Sequence, residues 1–526
     1  MNYTKDFNPS QTPQMEKIIG SSQVQNRARG FTWEVDCWER MKRFLILGNE
    51  GGTFYAKQRT LTRSAADSII QCANLDPLRA VGLVREISLE ARAPKQEPGL
   101  FALALLASHS DGPVREAALK VVGDVCRTGS TLLQWVAMVD QFRGWGSGLR
   151  NALRKWYEDK EIEAVAYQIL KYRQRAGWTH RDILRKVKPK PRDARWNALY
   201  SYIAKGLTHT ELPSQVHAYE AIWNSNPTPP MIKSLVKEHR LSMDMLPNTL
   251  QSDPRIWKAI LPHQPLGNLM RNLATMTRVG ALKPLGGTIP PICDRLTSRV
   301  ELAKARIHPI QALMAGLTYG EGKGLRGSHT WTPIPQITAA LNKAFYKAFS
   351  DVEPTYKRVL IAIDVSGSME WGCVAGIPSF SPRIAAACLG MVFARTEPQY
   401  MFMAFSDKPM ALNITAEDSL AQVVQTTSSL PFGGTDCALP MIWAHSEGIT
   451  VDTFIVLTDN ETWAGQVHPK EALDIYRKHM NPEAKLAVIA LEADDFSIAD
   501  PEDAGMMDFV GFDSALPQVL REFMIS

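Results

Sequence analysis

The feature that most constrains this chain is a change of hydrophobic period near residue 350. Before it, apolar residues recur three or four places apart; after it, they come in short unbroken runs. One layered architecture cannot accommodate both patterns. The chain is therefore expected to build an all-α unit followed by an α/β unit.

The helical reading rests on recurring start signals. Asp76-Pro77 reads as an N-cap followed by proline at the first helical position, with Ala80, Leu83, Val84, Ile87 and Ala91 along one face. Pro113 opens a second helix, with Val114, Ala117, Ala118, Val121, Val122 and Val125 on one stripe. Thr179 caps a third that begins His180-Arg181-Asp182 and buries Ile183, Leu184 and Val187, and Thr228-Pro229-Pro230 starts another. Amphipathic helices of about 10–15 residues joined by short Gly and Pro turns read as a helical-repeat array, although no fixed sequence period accompanies them. Residues 1–25 read as a loose polar lead-in, which divides the chain into 1–25, 26–350 and 351–526.

In the last segment the apolar runs fall at 359–363, 400–405, 453–457 and 486–491, with helix-like stretches such as 383–395 and 469–478 between them. Alternating helix and near-continuous apolar strand predicts a doubly wound parallel sheet covered on both faces. A ligand of such a sheet sits at the carboxyl ends of its strands. That is where Asp364-Val365-Ser366-Gly367-Ser368 follows the first run. A glycine loop, Gly433-Gly434-Thr435-Asp436, and the strand end Leu457-Thr458-Asp459 come later.

Asp364, Ser366 and Ser368 stand at i, i+2 and i+4, so their oxygens can converge, with Thr435 and Asp459 closing the ring directly or through water. Mg²⁺ suits such a set, because it takes about six oxygens and keeps several waters beside one or two carboxylates. The plainer reading is that Asp364 and Ser366 cap the next helix while Thr435 and Asp459 close turns. A phosphotransferase with a nucleophilic aspartate usually wants a second carboxylate two residues on, and that residue is Ser366. The three elements in this order closely resemble the metal-ion-dependent adhesion site (MIDAS) of von Willebrand A domains, which implies a Rossmann-like fold and one coordination position open to a carboxylate.

Charge separates the two halves further. Residues 351–526 hold 10 Lys and Arg against 25 Asp and Glu, a net of −15, while residues 1–350 hold 49 against 29, a net of +20. A polyanionic partner for the first half is one explanation, and two surfaces that attract each other is the other. The basic residues concentrate at 171–195, where ten Lys and Arg stand against two acids with Tyr172 and Trp178 interleaved. Cations neutralise phosphates and rings stack bases. Lys171, Arg173 and Arg175 end one helix; Arg181, Arg185 and Lys186 recur on the next; Arg150 and Arg154, with Arg143 and Lys155, lie just upstream. His180 stands at a helix start, where free N–H groups favour phosphate, unless it merely caps its own helix. A charge run can equally be a solvated face, and Trp178 can be core.

Residues 43–58 (RFLILGNEGGTFYAKQ), 144–155, 172–185 (YRQRAGWTHRDILR) and 305–327 (ARIHPIQALMAGLTYGEGKGLRG) together resemble the Ro autoantigen family, in bacterial form. The resemblance spans about residues 30–523, a TROVE module followed by the von Willebrand A domain. It implies a HEAT-like ring of helical repeats that binds small noncoding Y RNA on an outer basic face. It also implies that single-stranded 3′ ends of misfolded or defective RNA enter a central hole. By position His180 matches the histidine of the family's GW[ST]H segment in the Y RNA-binding face, and Lys171, Arg173, Arg175 and Arg181 fall in the same motif; Arg150 and Arg154 follow less directly. An RNA quality-control role without catalysis follows, with delivery to a 3′–5′ exoribonuclease such as polynucleotide phosphorylase. DNA is not expected as a partner.

The alternatives are a Mg-dependent ribonuclease, which would want several clustered carboxylates, and a metal-dependent protein-adhesion module that never meets RNA. Seven scattered cysteines without a CxxC pair argue for reduced thiols and against a zinc module. With no long apolar run and no apolar signal core, a cytoplasmic protein away from membranes is expected.

Overall fold

Strands buried on both faces read as unbroken apolar runs, and the runs after residue 350 form β1 (Val359–Asp364), β2 (Tyr400–Phe405), β4 (Thr453–Thr458) and β5 (Lys485–Ala490). Two further strands, β3 (Pro409–Leu412) and β6 (Met506–Val510), complete a six-stranded sheet in the order β6-β5-β4-β1-β2-β3. In this computed structural model the described residues are 7, 11–48, 58–225, 227–324, 328–349, 352–377, 380–431 and 433–526. Parts of two family-like segments, 49–57 and 325–327, lie outside them.

The expected parallel sheet is mixed instead. Its neighbours run parallel except β3, which pairs antiparallel with β2. Three residues, Ser406–Lys408, separate those strands, and so short a link can only reverse the chain. Every residue of β1 and β4 is buried. On one face Leu360, Ala362, Phe454, Val456, Leu486 and Val488 pack in a core with helices Leu439–Ser446 and Pro469–His479. Helix Pro382–Thr396 packs on β1. The chain leaves β1 toward β2 on one side and later returns to place β4 on the other. The carboxyl ends of β1 and β4 therefore flank the switch point where doubly wound sheets bind ligands.

The molecule divides into two compact units, and the division differs from the one read in the sequence. The first comprises Met1–Cys72, Arg92–Lys95 and Phe349–Ser526; the second comprises Ala73–Ala91 and Gln96–Ala348. From residue 11 on, the polar lead-in is held in place rather than loose. Gln14, Gln23 and Asn26 are buried, and Phe31–Glu34 pairs antiparallel with Val24–Gln25 and with Phe496–Ser497. Helix Cys37–Leu47 carries the fully buried Arg43, which donates to the carbonyls of Asp494 (2.8 Å) and Phe496 (2.9 Å) and pairs with Asp508. Arg27 pairs with Asp494. Polar side chains hold this segment, so it carries no hydrophobic period to read.

The second unit is helical. Asp76 caps Pro77–Leu89 by accepting from the N–H groups of Leu78 and Arg79, and Thr228 precedes Pro229–Glu238. Ala91 lies beyond its helix with φ 56°. The stripe from Pro113 to Val125 forms two helices, Gly112–Lys120 and Val122–Val125, broken at Val121. Two β-branched residues followed by Gly123 are poor helix formers. Pro77–Leu89 packs on Gly112–Lys120, that helix on Ser147–Glu158, and that one on His180–Val187, as in a stacked array. All seven cysteines are free, and among the described residues no helix is long and apolar enough to cross a membrane.

Candidate metal centre and nucleic-acid interface

The carboxyl end of β1 places Asp364 in the interior, with no exposed surface. One carboxylate oxygen accepts from the Ser366 backbone N–H at 2.8 Å, and the other from the Thr458 hydroxyl at 2.7 Å. The turn thus formed brings the hydroxyls of Ser366 and Ser368 to 3.2 Å from each other. Gly367 N–H donates to the Gly433 carbonyl (3.2 Å), drawing the glycine loop in beside the turn. A Cβ at Gly434 would stand 2.9 Å from the Ala464 side chain, so only glycine lets the loop lie this close. Thr435 is buried, and its carbonyl accepts from Trp463 N and Ala464 N, both at 2.9 Å. Asp459, just past β4, is 3% exposed; it accepts from the Ser368 side chain and from Glu461 N–H (3.1 Å).

All five residues read from the sequence, Asp364, Ser366, Ser368, Thr435 and Asp459, are thus built by the carboxyl ends of the two central strands and the loop beside them. Burial raises the pKa of Asp364, and burial followed by the Asp364 charge raises that of Asp459 to about 7. Two mutually repelling carboxylates ringed by hydroxyls and shut from water keep too little positive charge: the Arg383 guanidinium acts on Asp364 yet leaves its pKa raised. The donor set suits a small hard cation, which would supply that charge. Arg383 is itself held by the Val365 carbonyl and by Glu370 (2.7 Å).

In the helical unit, Ile162–Lys171 leads into a hairpin that pairs Arg175 with Trp178 around Ala176 and Gly177, both at positive φ. Thr179 then caps His180–Val187, exchanging hydrogen bonds with Asp182 in a capping box. On that helix Arg181 and Arg185 are exposed, and so are Arg173 and Arg175 on the hairpin and Arg150 upstream. Among the described residues none of these five has a carboxylate within ion-pair distance. Trp145 and Trp178 stack at 5.5 Å, with the Lys186 ammonium 4.6 Å from the Trp145 ring. Arg173 lies 5.9 Å from the half-exposed Trp223 ring and shares a cleft of about 460 Å³ with Arg181, Lys205 and Tyr202.

Three residues expected on this face are employed inside it. His180 is 3% exposed, against Trp156 and Tyr157, with the Tyr157 hydroxyl 2.8 Å from its Nδ1. It neither meets solvent nor caps the helix. Burial lowers its pKa to about 4, so it is neutral at physiological pH. Lys171 has a side chain 7% exposed, tucked between the Tyr167 and Tyr172 rings with Asp244 at 3.7 Å. Arg154 donates to the Val187 carbonyl at 2.9 Å and to Asn151 at 2.8 Å, closing the far end of helix His180–Val187. Trp145, Lys205 and Trp223 join the face from outside the 171–195 charge run, so the density of cations in the sequence does not point to them.

Comparison with known proteins finds two family domains in order along the chain. The TROVE domain model matches residues 24–230 and 237–317, and the Ro60 vWA domain model matches residues 358–524. The chain is 39% identical to the RNA-binding protein RO60 of Deinococcus radiodurans, covering 99% of both chains. It is 34% identical to the RNA-binding protein RO60 of Caenorhabditis elegans, covering 97% of this chain and 91% of that one. The crystal structure of the Deinococcus radiodurans RO (RSR) protein superposes with a TM-score of 0.70 at 39% identity, covering 93% of this chain and 99% of that one.

Proposed function

The chain belongs to the Ro family, and on that premise we propose that it binds RNA without breaking it. Arg150, Arg173, Arg175, Arg181 and Arg185 carry this reading: exposed guanidiniums with no carboxylate at ion-pair distance among the described residues, beside a stacked tryptophan pair. Such a face grips phosphates and releases their counterions, while rings and guanidinium planes accept unstacked bases. Lys171, His180 and Arg154 act from behind it by holding the hairpin and helix in place. The RNA bound there is small noncoding Y RNA, with single-stranded 3′ ends of misfolded RNA entering a hole in a ring of helical repeats. The role is RNA quality control in the cytoplasm, with hand-over to a 3′–5′ exoribonuclease such as polynucleotide phosphorylase.

Asp364, Ser366, Ser368, Thr435 and Asp459 would hold Mg²⁺, whose chemistry is to offer a free coordination position to a partner's carboxylate. Two of these five ligands are carboxylates, against the several that two-metal hydrolysis draws on, which supports adhesion over cleavage; Glu461, Glu492 and Asp494 act on Asp459 by charge from outside the five.

Filter binding of the purified protein to a small structured noncoding RNA tests the first claim. Affinity should fall by more than about 100-fold between roughly 50 and 200 mM salt, as binding through multiple phosphates requires; a flat response overturns it. Incubating end-labelled RNA with protein and Mg²⁺ should leave it intact. Sustained cleavage lost in Asp364→Ala would replace this reading with the nuclease.

A further inference from the structure

Gln14 lies 422 residues before Asp436 of the glycine loop yet touches both loops that flank the metal centre. It has no exposed surface, and its amide is fully used. Its nitrogen donates to the Asp436 carboxylate and to the Val467 carbonyl, both at 2.8 Å. Its oxygen accepts from the Thr462 hydroxyl at 2.5 Å and from Gly465 N–H at 3.2 Å. The backbone joins in, with Gln14 N–H donating to the Gly465 carbonyl at 3.0 Å. Asp436 follows Thr435 directly, and Thr462 lies three residues beyond Asp459. The Thr462 hydroxyl also lies 3.3 Å from the Thr435 carbonyl and accepts from Cys437 N–H (3.1 Å). One buried amide therefore closes a hydrogen-bonded ring between the two segments that carry the two ligands outside the Asp364 turn.

The segment repeats this grip nearby. Asn26 donates to the Thr462 carbonyl at 2.8 Å, and a Cβ at Gly30 would overlap that same oxygen. Farther along, the Thr12 N–H and hydroxyl bond to Glu471 (3.0 and 3.3 Å), away from the ligand loops. A glutamine amide can donate twice and accept twice, so its partners are set in fixed directions. Groups behind a metal's ligands that fix their orientation govern affinity by about 10–100-fold when removed.

We propose that the N-terminal segment is a working part of the metal centre: Gln14 is a positioning residue that sets the spacing of Thr435 and Asp459 around a divalent cation. The inference rests on the metal reading given above. Mn²⁺ binding, followed by the electron paramagnetic resonance of free and bound ion, separates the two. The unmodified protein should bind Mn²⁺ and Asp459→Asn should not. Gln14→Ala should bind roughly ten-fold more weakly, with an altered bound-ion spectrum. Asn26→Ala should weaken binding to a smaller degree, and Thr12→Val should bind as the unmodified protein does. Wild-type affinity and spectrum in Gln14→Ala, with binding lost in Asp459→Asn, would overturn the positioning role and leave the metal site standing. No Mn²⁺ binding by the unmodified protein would overturn both. If near-ultraviolet circular dichroism shows Gln14→Ala unfolded, Asn26→Ala decides by the same comparison.

Discussion

A histidine among arginines at a helix start invites a phosphate, yet His180 faces inward. The signal for this was present. His180 stands three, four and seven residues before Ile183, Leu184 and Val187, the buried stripe of its own helix. Charge density at 171–195 masked the period. Because burial lowers its pKa to about 4, the native chain holds fewer protons there than the unfolded chain, whose histidine titrates near 6.5. This contribution to stability is whole above about pH 6.5 and is lost as pH falls toward 4, by at most about 1.4 kcal/mol per pH unit. Urea midpoints at pH 7.5 and 4.5 should show a smaller acid loss in His180→Gln than in the unmodified protein, and His180→Ala should cost roughly 1–3 kcal/mol at pH 7.5. An unchanged midpoint in the alanine variant would contradict the packing against Trp156 and Tyr157. The residues of the candidate metal centre are legible for a different reason: hydroxyls and carboxylates at strand ends leave a fixed spacing, whereas Gln14, Lys205 and Trp223 lie beside neighbours distant in sequence.

At the level of elements, helix His180–Val187 has two sides with separate duties. Its inner stripe and its ties to Thr179 and Arg154 hold it in the array, while Arg181 and Arg185, one turn apart, project outward. Arg181→Ala with Arg185→Ala should therefore leave the thermal midpoint within about 2 °C, since surface changes cost little. It should also lower RNA affinity and make the salt dependence shallower, by about one unit of slope for each phosphate left without its cation. An unchanged slope would remove this helix from the interface. Among the strands, those buried on both faces announce themselves. Met506–Val510 does not, because Asp508 sits within it to meet Arg43, and Pro409–Leu412 is short, partly exposed and led by proline. The break at Val121 likewise follows from local propensity that a stripe of valines conceals.

For the whole molecule, the helical unit is an insertion within the chain of the α/β unit and does not simply precede it. Arg43 reaches Asp508 across 465 residues, and Arg92 pairs with Asp513 at 2.6 Å. Residues 351–526 expressed alone would leave Asp494, Asp508 and the Thr462–Gly465 loop without Arg27, Arg43, Gln14 and Asn26. That fragment should show weak near-ultraviolet circular dichroism and no sharp thermal transition; a cooperative melt matching that of the full chain would contradict the shared core. At about 5–20 residues per second of synthesis, Gln14 emerges roughly 20–80 seconds before its partner Asp436, 422 residues later, exists. A message truncated anywhere upstream of that point yields a polypeptide whose opening segment never finds its seat, and the cell's proteases would meet it as an unfinished product.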